Sequence, residues 1–156
     1  MDIRLDNLES PQILELLREH LESMAPTAPP ESRHALDLSG LRSGDVTFWS
    51  IWDGAALAGF GALKHLTVAH AEIKSMRTAS SHLRRGVAST MLRHLIREAA
   101  VRGYSRLSLE TGSMDFFEPA RRLYASFGFA PCAPFADYRP DPNSVFMTRP
   151  IGTTDG

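Results

Sequence analysis

Residues 82–97 read HLRRGVASTMLRHLIR: two arginines lead into a glycine, and the glycine leads into a helical pattern. The first amides of a helix have no acceptor within the helix and carry partial positive charge. A turn that gathers such amides around an anion makes a phosphate site. Gly86 lacks the Cβ that would block close approach, and Ala88 is small for the same purpose. Arg84 and Arg85 add positive charge at the mouth. Val87 and Ser89 offer main-chain N–H groups, and Ser89 and Thr90 add hydroxyl donors. This chemistry suits a diphosphate. By itself the stretch also reads as an ordinary turn with two solvated arginines. It is not a Walker loop, because the G-x-x-x-x-G-K-[ST] spacing is absent. The three-glycine dinucleotide fingerprint is absent too.

Flanking motifs narrow the choice. AEIKSM (71–76) precedes the loop LRRGVA (83–88), and ARRLYASFGF (120–129) follows it. In order and spacing, roughly residues 46–130 resemble the GCN5-related N-acetyltransferase (GNAT) family. That family carries a Q/R-x-x-G-x-G/A pyrophosphate loop and a later A-x-x-L-Y-x-x-x-G-F segment. Leu83 departs from the Gln or Arg of the loop. Phe117 stands seven residues before the Tyr, where an Asn often contacts the pantetheine arm. The resemblance implies acetyl-CoA as co-substrate, bound without a metal. It implies that Arg84 through Thr90 hold the diphosphate. The main chain of Met76, Arg77 and Thr78 would hold the pantetheine, beside Phe117 and Tyr124.

For the chemistry, the resemblance implies Tyr124 as the acid that protonates the departing thiolate. A phenol, with a pKa of about 10, can share a proton with such a group. Glu72, fourteen residues before Gly86, is the implied base for the incoming amine, with Glu110 in reserve. Glu72, Lys74 and Met76 alternate and are expected on one face of their strand. His20 and His34, with Ser32, Arg33 and Asp37, fall in the N-terminal part that covers the acceptor site in the family. Tyr138, in the loop DYRPDPNS (137–144), borders that site. The implied function is transfer of acetyl from acetyl-CoA to a primary amine of a small or amino-acid-like molecule. The rival is a binding module that senses acyl-CoA without catalysis. Homodimers are common in the family.

These residues need a scaffold, and the pattern supplies one. DIRL reads as a first strand. Ser10 and Pro11 open a helix with Ile13, Leu14, Leu17, Leu21 and Met24 at helical spacing. The prolines of APTAPP (25–30) end it, and a second short helix is expected to stop near Gly40. VTFWSIW and ALAGFGALKHLTV flank the hairpin signal Asp53-Gly54. HAEIKSMRTA is a further strand. Val87, Ala88, Met91, Leu92, Leu95, Ile96, Ala99 and Ala100 form the apolar stripe of the following helix. A strand at YSRLSLET, a short helix in EPARRLYASFGF, with Pro119 near its start and Gly128 after its end, and a last strand around Val145–Thr148 complete the order. This is an α+β plan: a mixed, mostly antiparallel twisted sheet flanked by about four helices, in one domain over 1–151. Residues 152–156 are expected as a flexible tail.

Composition limits the function classes. The chain of 156 residues is 43% hydrophobic and 22% charged, with net charge -1. That is globular, and it lacks the basic excess that nucleic-acid binding favours. Cys132 is the only cysteine, so no internal disulfide forms; it reads as a small core residue. The six histidines show no H-E-x-x-H spacing, and no metal site is expected. No apolar run reaches membrane-spanning length and the N-terminus has no signal-peptide pattern. A cytoplasmic protein is the expectation, with no membrane partner.

Overall fold

The computed structural model describes residues 1–24 and 38–156. His34, with Ser32, Arg33 and Asp37, lies outside the described residues. Strand β1 (Asp2–Leu5) leads into α1 (Pro11–Met24). Ser10 caps α1, its Oγ accepting from the Ile13 amide at 3.2 Å. Pro11 suits the first position because it has no N–H to leave unpaired. Helix α2 is a single turn, Leu38–Leu41. An antiparallel meander follows: β2 (Val46–Asp53), β3 (Ala56–Thr67) and β4 (His70–Thr78). Helix α3 (Val87–Val101) crosses over to β5 (Arg106–Gly112). Then come α4 (Glu118–Ser126), β6 (Ala130–Cys132) and β7 (Ser144–Pro150).

The strands form one sheet in the order β1-β2-β3-β4-β5-β7-β6. Only β4 and β5 run parallel, because a parallel pair requires a crossover and α3 provides it. Each face of the sheet buries its own core. On one face α3 and α4 cover Trp49, Ile51, Leu63, Ile73, Leu107, Leu109 and Met147. The α3 stripe Val87, Met91, Leu92, Leu95, Ile96 and Ala99 is fully buried there, and each large aliphatic contributes about 1.5–3 kcal/mol. On the other face α1 and α2 pack Ile13, Leu16, Leu17 and Leu41 against Phe48, Phe60 and Ala62. Among the described residues, no helix is long and apolar enough to cross a membrane.

Three expectations change. Cys132 is half-buried on the edge strand β6, not in the core. The segment Ala130-Pro131-Cys132 escapes sequence recognition because it lacks strand formers, and a proline is tolerated only at such an edge. Residues 152–156 are folded back rather than loose. Thr153–Asp155 make a 3-10 turn, and Asp155 pairs with Arg149 at 2.9 Å. Most consequential, Glu72, Lys74 and Met76 do not share a face. Ala62 pairs with Ser75 while Leu63 pairs with Ile73, so Lys74 is an extra residue, a β-bulge. One extra residue reverses the alternation beyond it. Glu72 faces away from α3, whereas Met76 packs into the α3-side core.

The bulge coincides with a second irregularity. Parallel pairing of β4 with β5 runs from His70–Arg106 to Ile73–Leu109 and stops. Beyond it β4 continues to Thr78 and β5 to Gly112, without pairing to each other. The two strands therefore splay, and β4 is left with main-chain groups that no strand of the sheet takes up on that side.

Candidate functional site

At the far end of the gap lies the loop before α3. After a 3-10 turn (Ser80–His82), Arg84 and Gly86 both adopt left-handed backbone, at φ 63° and 78°. Gly86 is the N-cap residue of α3, with no side-chain cap, and the first turn of the helix holds no acidic residue. The amides of Val87, Ala88 and Ser89 are thus the uncapped end of a fifteen-residue helix, which is what an anion requires. Val87 is buried and offers only its main chain, while Ala88 and Ser89 are half-buried. Thr90 differs from expectation: its hydroxyl donates to the Gly86 carbonyl at 2.8 Å, so it closes the turn rather than facing an anion. Arg84 and Arg85 are exposed at the mouth. The diphosphate of a CoA thioester fits this arrangement.

His82 is a buried residue of this loop that the motif did not single out. It sits 3.2 Å from Asp53 through Nε2 and 2.7 Å from Ser81 Oγ through Nδ1. These contacts tie the loop to the β2–β3 hairpin. The only prior signal was its position inside the motif.

On the β5 side, Phe117 occupies the N-cap of α4, and its ring lies directly on Gly112 at the end of β5. A Cβ at Gly112 would fall 2.0 Å from Phe117 Cδ2. Arg121 fixes the same turn, donating from Nη1 to the carbonyls of Gly112 at 2.6 Å and Met114 at 2.9 Å. So Phe117 fixes the end of β5 by packing, where a polar side chain would act by hydrogen bonding. Gly112→Ala is expected to displace the ring at a cost of about 1–3 kcal/mol. Calorimetry should show a melting temperature lower by several degrees and weaker acetyl-CoA binding.

Tyr124 is buried in the α3-side core, edge-on to Phe129 with ring centroids 5.9 Å apart. Burial, and then the charge of Glu110, push its phenol up to about 12. Glu110 accepts from Ser144 Oγ at 2.6 Å. Its charge acts on Tyr138 as well as Tyr124.

The other half is a cleft of about 790 Å³ bordered by the ends of β3 and β4 and by residues 136–141. Glu72 lies at its base, only 2% exposed. The Tyr138 hydroxyl donates to Glu72 Oε2 at 2.6 Å, and Lys74 Nζ donates to that hydroxyl at 2.7 Å. Lys74 is also 3.6 Å from Glu72 and 5.0 Å from the centre of the Tyr138 ring. Burial lowers the Lys74 ammonium pKa, and Glu72 opposes that shift. Burial chiefly, with Glu72 next, raises the Tyr138 phenol far above its ordinary value. The bulge makes the Lys74 contact possible, because it keeps Lys74 beside Glu72 while turning Met76 away. Thus Glu72, Tyr138 and Lys74 meet as one group; Glu110 is linked to it electrostatically.

Not every expected residue joins. The Met76 side chain belongs to the core, so only its main chain is available to the gap. Arg77 likewise sends its side chain to α1, where Nη1 donates to Ser23 Oγ at 2.7 Å. His20 is on α1, edge-on to Phe60 at 5.5 Å and outside the lining of the cleft. Thr78 ends β4, at the open end of the gap.

The comparisons with known proteins agree with this geometry. The model of the Acetyltransferase (GNAT) family matches residues 11–129. The chain is 61% identical to the uncharacterized N-acetyltransferase YsnE of Bacillus subtilis, across 97% of this chain and 100% of that one. It is 52% identical to the uncharacterized N-acetyltransferase YedL of Escherichia coli, across 94% of this chain and 92% of that one. A Klebsiella pneumoniae protein provisionally assigned as an acyl-CoA N-acyltransferase superposes with a TM-score of 0.80 at 27% identity, over 97% of both chains. With its splayed β4 and β5, its Gly86-led helix and these relatives, the chain belongs to the GNAT family of acetyltransferases.

Proposed function

We propose that the protein transfers the acetyl group of acetyl-CoA to a primary amine on a small, amino-acid-like molecule, by direct attack and without a covalent enzyme intermediate. The observation that carries this reading is the open gap between β4 and β5, with a phenol on one face of the sheet and a carboxylate on the other. Tyr124 belongs to the core on the α3 side, and Glu72 lies on the opposite face. Gly86 to Ser89, with Arg84 and Arg85, would hold the diphosphate. The main chain of residues 76–78 would hold the pantetheine arm. When bound, acetyl-CoA supplies an acyl group activated by a thiolate leaving group.

This chain's own residues supply the rest. Glu72 accepts the proton that the amine nitrogen sheds as the new amide forms. Tyr124 gives the phenolic proton from Oη toward the departing sulfur. One proton is taken and one is given, so the reaction is balanced. Tyr138 and Lys74 hold the Glu72 carboxylate in one orientation, and orientation is a large part of the rate advantage.

A thermal-shift series with acetyl-CoA, CoA, ATP and NAD, followed by thiol release across an amine panel, tests the reading. Acetyl-CoA and CoA should raise the melting temperature by several degrees at saturating concentration, and at least one amine should release thiol. Stabilisation by CoA with no thiol release from any amine would favour a binding module instead. No stabilisation by CoA or acetyl-CoA would overturn the reading.

A further inference from the structure

Four groups converge on the α1 side of β4. Arg77 lies in the part of β4 that does not pair with β5, and it stands opposite Phe60 of β3. Its Nη1 donates to Ser23 Oγ, which in turn donates to the His20 carbonyl at 2.8 Å. The His20 ring rests against Phe60. Arg77 Nε and His20 Nδ1 are both buried, and neither has a hydrogen-bond partner. Among the described residues no carboxylate pairs with Arg77.

This arrangement is costly as it stands. Buried polar atoms nearly always have partners, and each exception requires an explanation. A guanidinium drawn partly out of water without an acid is more expensive still. The negative end of α1 offsets part of the charge, but it gives Nε nothing to donate to. Burial, helped by Arg77, drops the His20 pKa to about 4. His20 is therefore a neutral imidazole at physiological pH, and Nδ1 can carry the ring proton as a donor. One permanent cation and one neutral donor above an apolar ring make a receptor for a planar oxyanion. The diphosphate already has its place at the N-terminus of α3. The Arg77 side chain points to α1 instead, the side away from α3.

We propose that Arg77 and His20 bind a carboxylate carried by the acceptor, so that the substrate class is amines bearing a free carboxylate, as in amino acids. The inference rests on the transferase reading above and adds the acceptor's second anchor. Ser23 is a positioning residue that fixes the guanidinium.

The test pairs each of the twenty proteinogenic amino acids with its carboxamide, using acetyl-CoA and thiol release. For at least one pair, the acid should be preferred by about tenfold or more in kcat/KM, as expected for a charged hydrogen bond. Arg77→Gln should bring that ratio close to one, Arg77→Lys should restore part of it, and His20→Ala should reduce it. Calorimetric titration with acetyl-CoA shows that each variant still folds and binds. If amides and acids react equally, or if Arg77→Gln leaves the preference intact, the carboxylate site is overturned while the transferase reading stands. If no amine of any kind reacts, both fall together.

Discussion

Tyr124→Phe is expected to lower kcat by about 10²- to 10³-fold while acetyl-CoA affinity changes by less than about threefold. The substitution removes one oxygen and keeps the ring, so the core around Phe129 stays filled. What disappears is the phenolic proton that the proposed mechanism delivers to the leaving sulfur. Thiol release under saturating substrates measures kcat, and calorimetry measures affinity. The shifted phenol adds a pH signature. Burial and Glu110 bring it to about 12, so it stays protonated through neutral and mildly alkaline solution. A group needed in its protonated form loses function only as pH rises through its pKa. Wild-type kcat should therefore show no alkaline decline from Tyr124 below about pH 11. An unchanged kcat in the Phe variant would assign the proton to water.

Glu72→Gln is the second large effect, with kcat/KM lower by about 10²-fold at neutral pH. Gln keeps an oxygen that can accept from Tyr138, so the buried cluster survives while the base is lost. The deficit should shrink as pH rises, because solvent base then takes up the proton that the amine nitrogen sheds. Glu110→Gln is the control and should cost less than about fivefold in kcat/KM, since its carboxylate is already engaged by Ser144. A larger loss from Glu110→Gln than from Glu72→Gln would move the base to Glu110. Rate–pH profiles of the two variants separate the cases.

Much of the fold could be read from local chemistry. Pro11 after Ser10, the Asp53-Gly54 pair and Gly86 before an apolar stripe each mark an element boundary by a backbone preference. The family resemblance, carried by three short motifs, pointed to Glu72, Gly86 and Tyr124. What escaped was non-local or irregular. The Tyr138–Glu72 hydrogen bond joins residues 66 positions apart, and no periodicity encodes it. The ring of Phe117 needs the bare Cα of Gly112, a fact about two residues on different elements. The Lys74 bulge leaves no trace in a count of alternating residues, because such counts assume a period of two. That is why Met76 was expected beside Glu72 and lies on the opposite face.

The Lys74 bulge also bears on how such an enzyme can diversify. Before it, β4 presents side chains to the cleft; beyond it, the same strand leaves main chain at the gap and sends the Arg77 side chain to α1. A single inserted residue thus divides one strand into two units that mutation can alter separately. Substitutions at His70 can retune the cleft without disturbing residues 76–78. A one-residue deletion at Lys74 would do the opposite, exchanging inside for outside along half of the strand. Drift in acceptor preference among relatives should therefore come by substitution, while the length of this segment is held constant.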